Sequence, residues 1–126
     1  MDKLLWTITL AFCFSCTQQH SVNDLSPEAF ESMLQKNPDA QLVDVRTPEE
    51  FQSGYIAGAK NLNIYDADFA QQIAQLDKNK PVMVYCAKGG RSATAAEQLK
   101  QAGFLQVYDL SGGMMAWKTA GKQTVQ

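Results

Sequence analysis

The chain has 126 residues, 45% of them hydrophobic and 19% charged, with a formal net charge of −2. That suits one globular domain with a core of its own, and the dispersed, slightly acidic charge excludes both a nucleic-acid face and a basic membrane-binding patch. The single histidine, His20, falls in a polar stretch ahead of the foldable part, which takes most of the weight from a Cys–His hydrolase or a histidine-ligated metal site.

The first residues form a segment of a different kind. Lys3 precedes an apolar run from Leu4 to Phe14, followed by Ser15, Cys16 and the polar Thr17-Gln18-Gln19-His20. Such a run is too short for an ordinary membrane span of roughly 20 residues and suits the hydrophobic region of a secretory signal. The Ser15-Cys16 junction resembles the cleavage site of bacterial lipoprotein signal peptides, in which the Cys becomes the lipidated first residue. The resemblance implies export to a bacterial periplasm, with membrane contact only through acyl chains on Cys16; a plainly cleaved signal and an uncleaved anchor are the alternatives. The chain then divides into a signal segment at 1–16, a polar tether at 17–23 and a domain at 24–126. Cys13 would leave with the signal and Cys16 would carry lipid, so Cys86 would be the domain's single free thiol. No internal disulfide is then available, and a two-cysteine redox mechanism lacks its resolving partner.

In chain order, Ser26-Pro27-Glu28 opens a helix whose apolar positions Ala29, Phe30, Met33 and Leu34 recur at helical spacing. Residues 41–45 are mostly apolar, as a strand covered on both faces should be. Thr47-Pro48-Glu49-Glu50 reads as a helix start, with Thr47 as N-cap, Pro48 in the first turn and Glu50 reaching back; this predicts a helix over 48–53. Asp44 and Arg46 fall at the strand's C-terminal end, where they either line a site or form an internal ion pair. A short strand near 61–62, a helix over about 66–76 and a strand at Val82 follow. Beyond the next helix, Gly103 marks a stop, residues 105–108 form another strand, and Trp117 belongs to the core of a final helix. The alternation predicts an α/β fold with a central, mostly parallel sheet and helices on both faces.

The chemical centre lies between strand and helix. Pro81-Val82-Met83-Val84-Tyr85 ends in Cys86, which opens the loop Ala87-Lys88-Gly89-Gly90-Arg91-Ser92 before a helix predicted over 92–102. Unpaired N–H groups at a helix start favour an anion, glycines let the backbone curl around it, and Lys88 and Arg91 add positive charge. A free Cys is only about 3% thiolate at neutral pH, and such surroundings can lower its pKa to roughly 3.5–7.5. Four residues separate Cys86 from Arg91. Phosphatases that attack through Cys have one residue more in this interval, which makes room for a tetrahedral phosphate; the narrower ring here fits one extra sulfur on Cys86.

The segment Cys86 to Ser92 resembles the active loop of the rhodanese family of sulfurtransferases. Leu42-Val43-Asp44-Val45-Arg46-Thr47-Pro48-Glu49-Glu50-Phe51 with Gly54-Tyr55-Ile56-Ala57-Gly58-Ala59-Lys60-Asn61-Leu62 resembles that family's upstream signature. Leu110-Ser111-Gly112-Gly113-Met114-Met115-Ala116-Trp117 resembles its closing turn and last helix. Tyr55 stands where many relatives carry His, at a position expected to be a structural turn. The resemblance implies a rhodanese-like fold and a double displacement: the Cys86 thiolate takes the outer sulfur of a small anionic donor such as thiosulfate, and a thiophilic acceptor removes it. Ala87, Lys88, Gly89, Gly90, Arg91 and Ser92 would bind the donor and the persulfide, with no metal or organic cofactor. One rival is a sulfur-relay module of the same fold that serves a protein partner. The other, a phosphatase or arsenate reductase, fits the four-residue interval poorly.

Overall fold

A computed structural model describes residue 11 and residues 21–126. The signal segment, Cys16, His20 and the first part of the tether lie outside the described residues apart from Ala11. Five strands, β1 (Ser21–Leu25), β2 (Gln41–Asp44), β3 (Lys60–Asn61), β4 (Val82–Tyr85) and β5 (Gln106–Leu110), form one sheet in the order β1-β5-β4-β2-β3. Every pairing in it is parallel. The helices are α1 (Pro27–Lys36), α2 (Pro48–Gln52), α3 (Phe69–Ala74), α4 (Gly90–Gln101) and α5 (Gly113–Thr119).

Strand alternation sorts the core into two layers. Val43 and Val45, Val82, Val84 and Cys86, and Val107 face one side of the sheet, where Phe69 and Ile73 of α3 and Ala95, Ala96 and Leu99 of α4 cover them. Leu42, Met83, Tyr85 and Leu110 face the other side, beneath Phe30 of α1, Ile56, and Met114 and Trp117 of α5. The central strand β4 is buried along its whole length, so its sequence is a continuous apolar run. Phe30 and Trp117 meet edge to face with centroids 6.3 Å apart, which places Trp117 in the core as the sequence reading has it.

Two expectations are corrected. Residues 21–23, assigned to the polar tether, belong to β1, whose register runs from Ser21 opposite Gln106 to Leu25 opposite Leu110. As an edge strand with mostly exposed side chains, β1 carries little apolar signal. The helix expected over 66–76 is confined to Phe69–Ala74, because Asn63 and Asp66 hold the preceding residues in turns.

The α2 start follows its sequence. The Thr47 side chain accepts from the Glu50 N–H at 3.3 Å and the Glu50 carboxylate accepts from the Thr47 N–H at 3.3 Å, a reciprocal capping box.

Candidate active site

Cys86 follows the last residue of β4 and is buried at the C-terminal edge of the sheet, where the strand gives way to the loop that starts α4. The loop folds back over the sulfur. The Gly89 N–H donates to Sγ at 3.0 Å, the thiol lies 3.4 Å from Ser92 Oγ, and the Ser92 hydroxyl donates to the Gly89 carbonyl at 3.2 Å. Gly89 makes this possible with a φ of +114°, in the region L side chains rarely adopt. Burial by itself pushes the thiol up. The Ser92 hydroxyl and the backbone N–H groups of Ser92, Gly89 and Lys88 outweigh burial and hold the thiol below its ordinary value.

A second loop clamps the first. The Met114 N–H donates to the Cys86 carbonyl at 2.8 Å and the Met115 N–H to the Ala87 carbonyl at 3.0 Å. Fixing the Ala87 carbonyl orients the peptide that carries the Lys88 N–H, one of the groups that act on the sulfur. The approach is close enough that a Cβ on Gly113 would sit 2.6 Å from the Cys86 carbonyl oxygen and 2.7 Å from the Ala87 carbonyl carbon. The closing turn Gly112-Gly113 is therefore part of the site's scaffold.

The two cations of the loop behave differently. Lys88 is exposed and sits between two clefts. One, of about 320 Å³, is lined by Arg46, Ala87, Lys88, Met114, Met115 and Lys118. The other, of about 510 Å³, opens between α5 and the start of α1. Arg91 is committed elsewhere: its Nη1 and Nη2 donate to the two carboxylate oxygens of Glu50 at 2.7 and 2.9 Å, and its guanidinium lies 5.8 Å from the Tyr65 ring centroid. Arg91 holds the Glu50 carboxyl down to about 2, with help from Thr47. The sequence reading used the full charges of Lys88 and Arg91 to stabilise the thiolate. In the structure hydrogen bonds to the sulfur lead, and Arg91, largely balanced by Glu50, adds a weaker attraction to the Cys86 charge.

Glu50 is the site residue that sequence reasoning missed. Its capping role was legible at three residues' separation, whereas its second partner is 41 residues away. Asp44 and Arg46 are an internal pair. The guanidinium bonds the carboxylate at 2.7 to 3.1 Å and the Gly54 carbonyl at 2.7 Å, both side chains nearly inaccessible. They fix the turn after β2, on the sheet face opposite Cys86, with Arg46 5.8 Å from the Tyr85 ring centroid. Tyr55, expected in a turn, instead forms an antiparallel bridge with Val125 and stacks on Phe51, and the turn falls at Ala57-Gly58. Among the described residues no group of His, Cys, Asp and Glu side chains is placed to hold a metal ion.

A rhodanese-like domain model matches residues 26–120. The chain belongs to the rhodanese-like domain family. Over 96 residues it is 35% identical to the thiosulfate sulfurtransferase GlpE of Pseudomonas aeruginosa, a match covering 75% of this chain and 83% of that one. The crystal structure of a rhodanese-related protein from Thermoplasma volcanium superposes with a TM-score of 0.72 at 30% identity, covering 82% of this chain and 97% of that one. The polysulfide-sulfur transferase of Wolinella succinogenes superposes with a TM-score of 0.70 at 33% identity, covering 82% and 78%. The loop from Cys86 to Ser92, the Gly113 clamp and the Glu50–Arg91 pair thus lie within a rhodanese domain whose relatives include sulfurtransferases.

Proposed function

We propose that Cys86 is the nucleophile of a sulfurtransferase that takes sulfur from an anionic donor such as thiosulfate and carries it as a persulfide. The observation that carries this reading is a buried sulfur ringed by the N–H groups of Lys88, Gly89 and Ser92 and held below its ordinary pKa. The thiolate attacks the donor's outer sulfur, a new S–S bond forms, the old one breaks, and sulfite leaves with the bonding electron pair. The outer sulfur of the persulfide is an anion that the same loop can solvate. A thiophilic acceptor then attacks that sulfur, and Cys86 departs as thiolate. Lys88, exposed at the loop's rim, draws the anionic donor in.

Intact mass of the full chain before and after thiosulfate, with Cys86→Ser in parallel, tests this. A gain of about 32 Da, removed by cyanide and absent from the variant, is the expected result for a reactive thiolate. No gain on a reduced, accessible Cys86 would refute thiosulfate as donor.

A protein sulfur donor or acceptor is the second reading, favoured by Met115, 56% exposed, between the apolar clefts that flank Lys88. Persulfide formed only from a partner protein would distinguish it. We further propose export and lipidation at Cys16, supported by the Lys3-to-Cys16 pattern. Loss of membrane association in Cys16→Ser would test that assignment.

A further inference from the structure

The Glu50–Arg91 pair stands beside the Cys86 loop, and the mechanism above gives it no task. Arg91 is the second residue of α4 and precedes Ser92, whose Oγ lies 3.4 Å from Cys86 Sγ. Its position in the chain therefore puts it next to the residue that touches the sulfur. Its guanidinium is nonetheless turned to α2, where Nη1 and Nη2 donate to Glu50 Oε1 and Oε2 at 2.7 and 2.9 Å. The Tyr65 ring, 5.8 Å away at its centroid and the most exposed of the large hydrophobic side chains, stands on another side of the same guanidinium.

Glu50 is itself held in place. Its Oε1 accepts from the Thr47 N–H at 3.3 Å and from the Thr47 hydroxyl at 3.1 Å, so the start of α2 fixes the carboxylate that Arg91 meets. The pair is not sealed off, because the Arg91 side chain is 23% exposed and that of Glu50 34%. A planar fork of N–H groups fits other oxyanions as well as a carboxylate, so Glu50 occupies the donors that an anionic ligand would use.

The remaining charges around the loop set the balance. Lys88 is exposed and, among the described residues, belongs to no ion pair. Glu49, beside Glu50 on α2, is exposed and likewise unpaired. Asp66, next to Tyr65, bonds Asn63 and Gln72. Of the two cations in the loop, one is free and one is spent on a carboxylate.

We propose that Glu50 is a specificity-determining residue: by holding Arg91 in a bidentate pair it leaves Lys88 as the loop's free cation, and so biases Cys86 toward neutral or singly charged sulfur donors over the dianion thiosulfate. Thiosulfate reaches the Arg91 fork only by displacing Glu50. The inference deepens the sulfurtransferase reading and rests on it for the donor. Its first test reads the thiol alone and needs no sulfur transfer.

That test compares alkylation of Cys86 in the full chain at pH 7 by iodoacetate, an anion, and by iodoacetamide, its neutral analogue, followed by mass on the Cys86 peptide. The ratio of the two rates divides out the thiolate fraction and any general loosening of the loop, and keeps the charge that the reagent meets. Glu50→Gln removes the carboxylate's charge while Gln can still close the capping box, and it should raise the ratio about threefold or more, a factor within the range of partly exposed charge pairs. Glu49→Gln, which removes an unpaired charge from the same helix, should leave the ratio near the wild-type value. In an Arg91→Ala background Glu50→Gln should have a smaller effect, because no guanidinium is left to release.

An unchanged or lower ratio in Glu50→Gln overturns the proposal. So does an equal rise in Glu49→Gln, or a rise undiminished in Arg91→Ala, since either would mean simple removal of negative charge. If Glu50→Gln fails to fold by circular dichroism, Glu50→Asp decides: it keeps the charge but shortens the reach, so the ratio should rise, and an unmoved ratio overturns the proposal. With thiosulfate as substrate, Glu50→Gln should lower KM and leave kcat in place, and a fall in kcat with KM unchanged counts against the assignment. Sulfur transfer that is absent while the alkylation ratio behaves as expected would refute the enzyme reading and leave the charge selectivity standing.

Discussion

Replacing Gly113 by Ala tests how far the closing turn governs the thiol. Gly113 has a φ of +59°, and its missing Cβ would sit 2.6 Å from the Cys86 carbonyl oxygen and 2.7 and 2.8 Å from the Ala87 carbonyl carbon and oxygen. These are backbone atoms, so no flexible side chain can move aside. Gly121 provides the control, since its φ is +75° but nothing lies within 4 Å of its Cβ position. Both substitutions force alanine into the left-handed region at about 1–2 kcal/mol, partly offset by about 0.4–1 kcal/mol from a less flexible unfolded chain. Gly113→Ala alone adds an overpacking cost of about 1–3 kcal/mol.

The expected outcome has two parts. In urea denaturation, Gly121→Ala loses about 0–1.6 kcal/mol, and Gly113→Ala loses more by about 1–3 kcal/mol. The clash can be relieved only by moving the Cys86 and Ala87 carbonyls away from the Met114 and Met115 N–H groups, which loosens the loop that presents N–H groups to Sγ. Alkylation of Cys86 at pH 7 should therefore slow in Gly113→Ala and stay at the wild-type rate in Gly121→Ala. Equal stability losses would refute the steric argument. An unchanged alkylation rate in a destabilised Gly113→Ala would refute the coupling between clamp and thiol.

Two further outcomes concern the ion pairs. Asp44→Asn leaves the Arg46 guanidinium buried beside a neutral partner, so urea unfolding should show a loss of about 3–5 kcal/mol; a loss under 1 kcal/mol would mean that Arg46 finds water or another acceptor. Glu50 sits at about 2 when folded against an ordinary 4.5, so the Arg91 pair's contribution is complete above about pH 4.5 and is lost as the pH falls toward 2. Because both side chains are partly exposed, that contribution is about 1 kcal/mol or less. The urea-midpoint gap between wild type and Glu50→Gln should narrow from pH 6 to pH 3, and an unchanged gap would assign the pair no stabilising role.

What the sequence revealed followed the range of the interactions. The capping box, the covered strand β4 and the loop's glycines depend on neighbours within a few residues, so Thr47, Glu50, Val82–Tyr85 and Gly89 could be read directly. The edge strand β1 could not, because Ser21, Val22, Asn23 and Asp24 owe their conformation to hydrogen bonding with β5 rather than to any apolar pattern of their own. The same limit hid the partners of the site. Arg91 looks like a free cation beside Cys86 until the fold brings Glu50 across from α2.

That hidden part changes the account of reactivity. If free charges beside the loop controlled the thiol, salt would screen their effect and Arg91 would be the residue to remove. In the structure the opposing terms are burial and hydrogen bonding, both short-ranged and both fixed by backbone geometry at Lys88, Gly89 and Ser92. Such donors keep their strength in a buried site because water does not compete for them. They also need rigid support, which explains why the loop's own carbonyls at Cys86 and Ala87 are bonded to Met114 and Met115 and why a glycine stands at 113 where the two backbones touch. In the proposed reaction charge keeps a separate task at the rim, where exposed Lys88 would meet an anionic donor before the sulfur does.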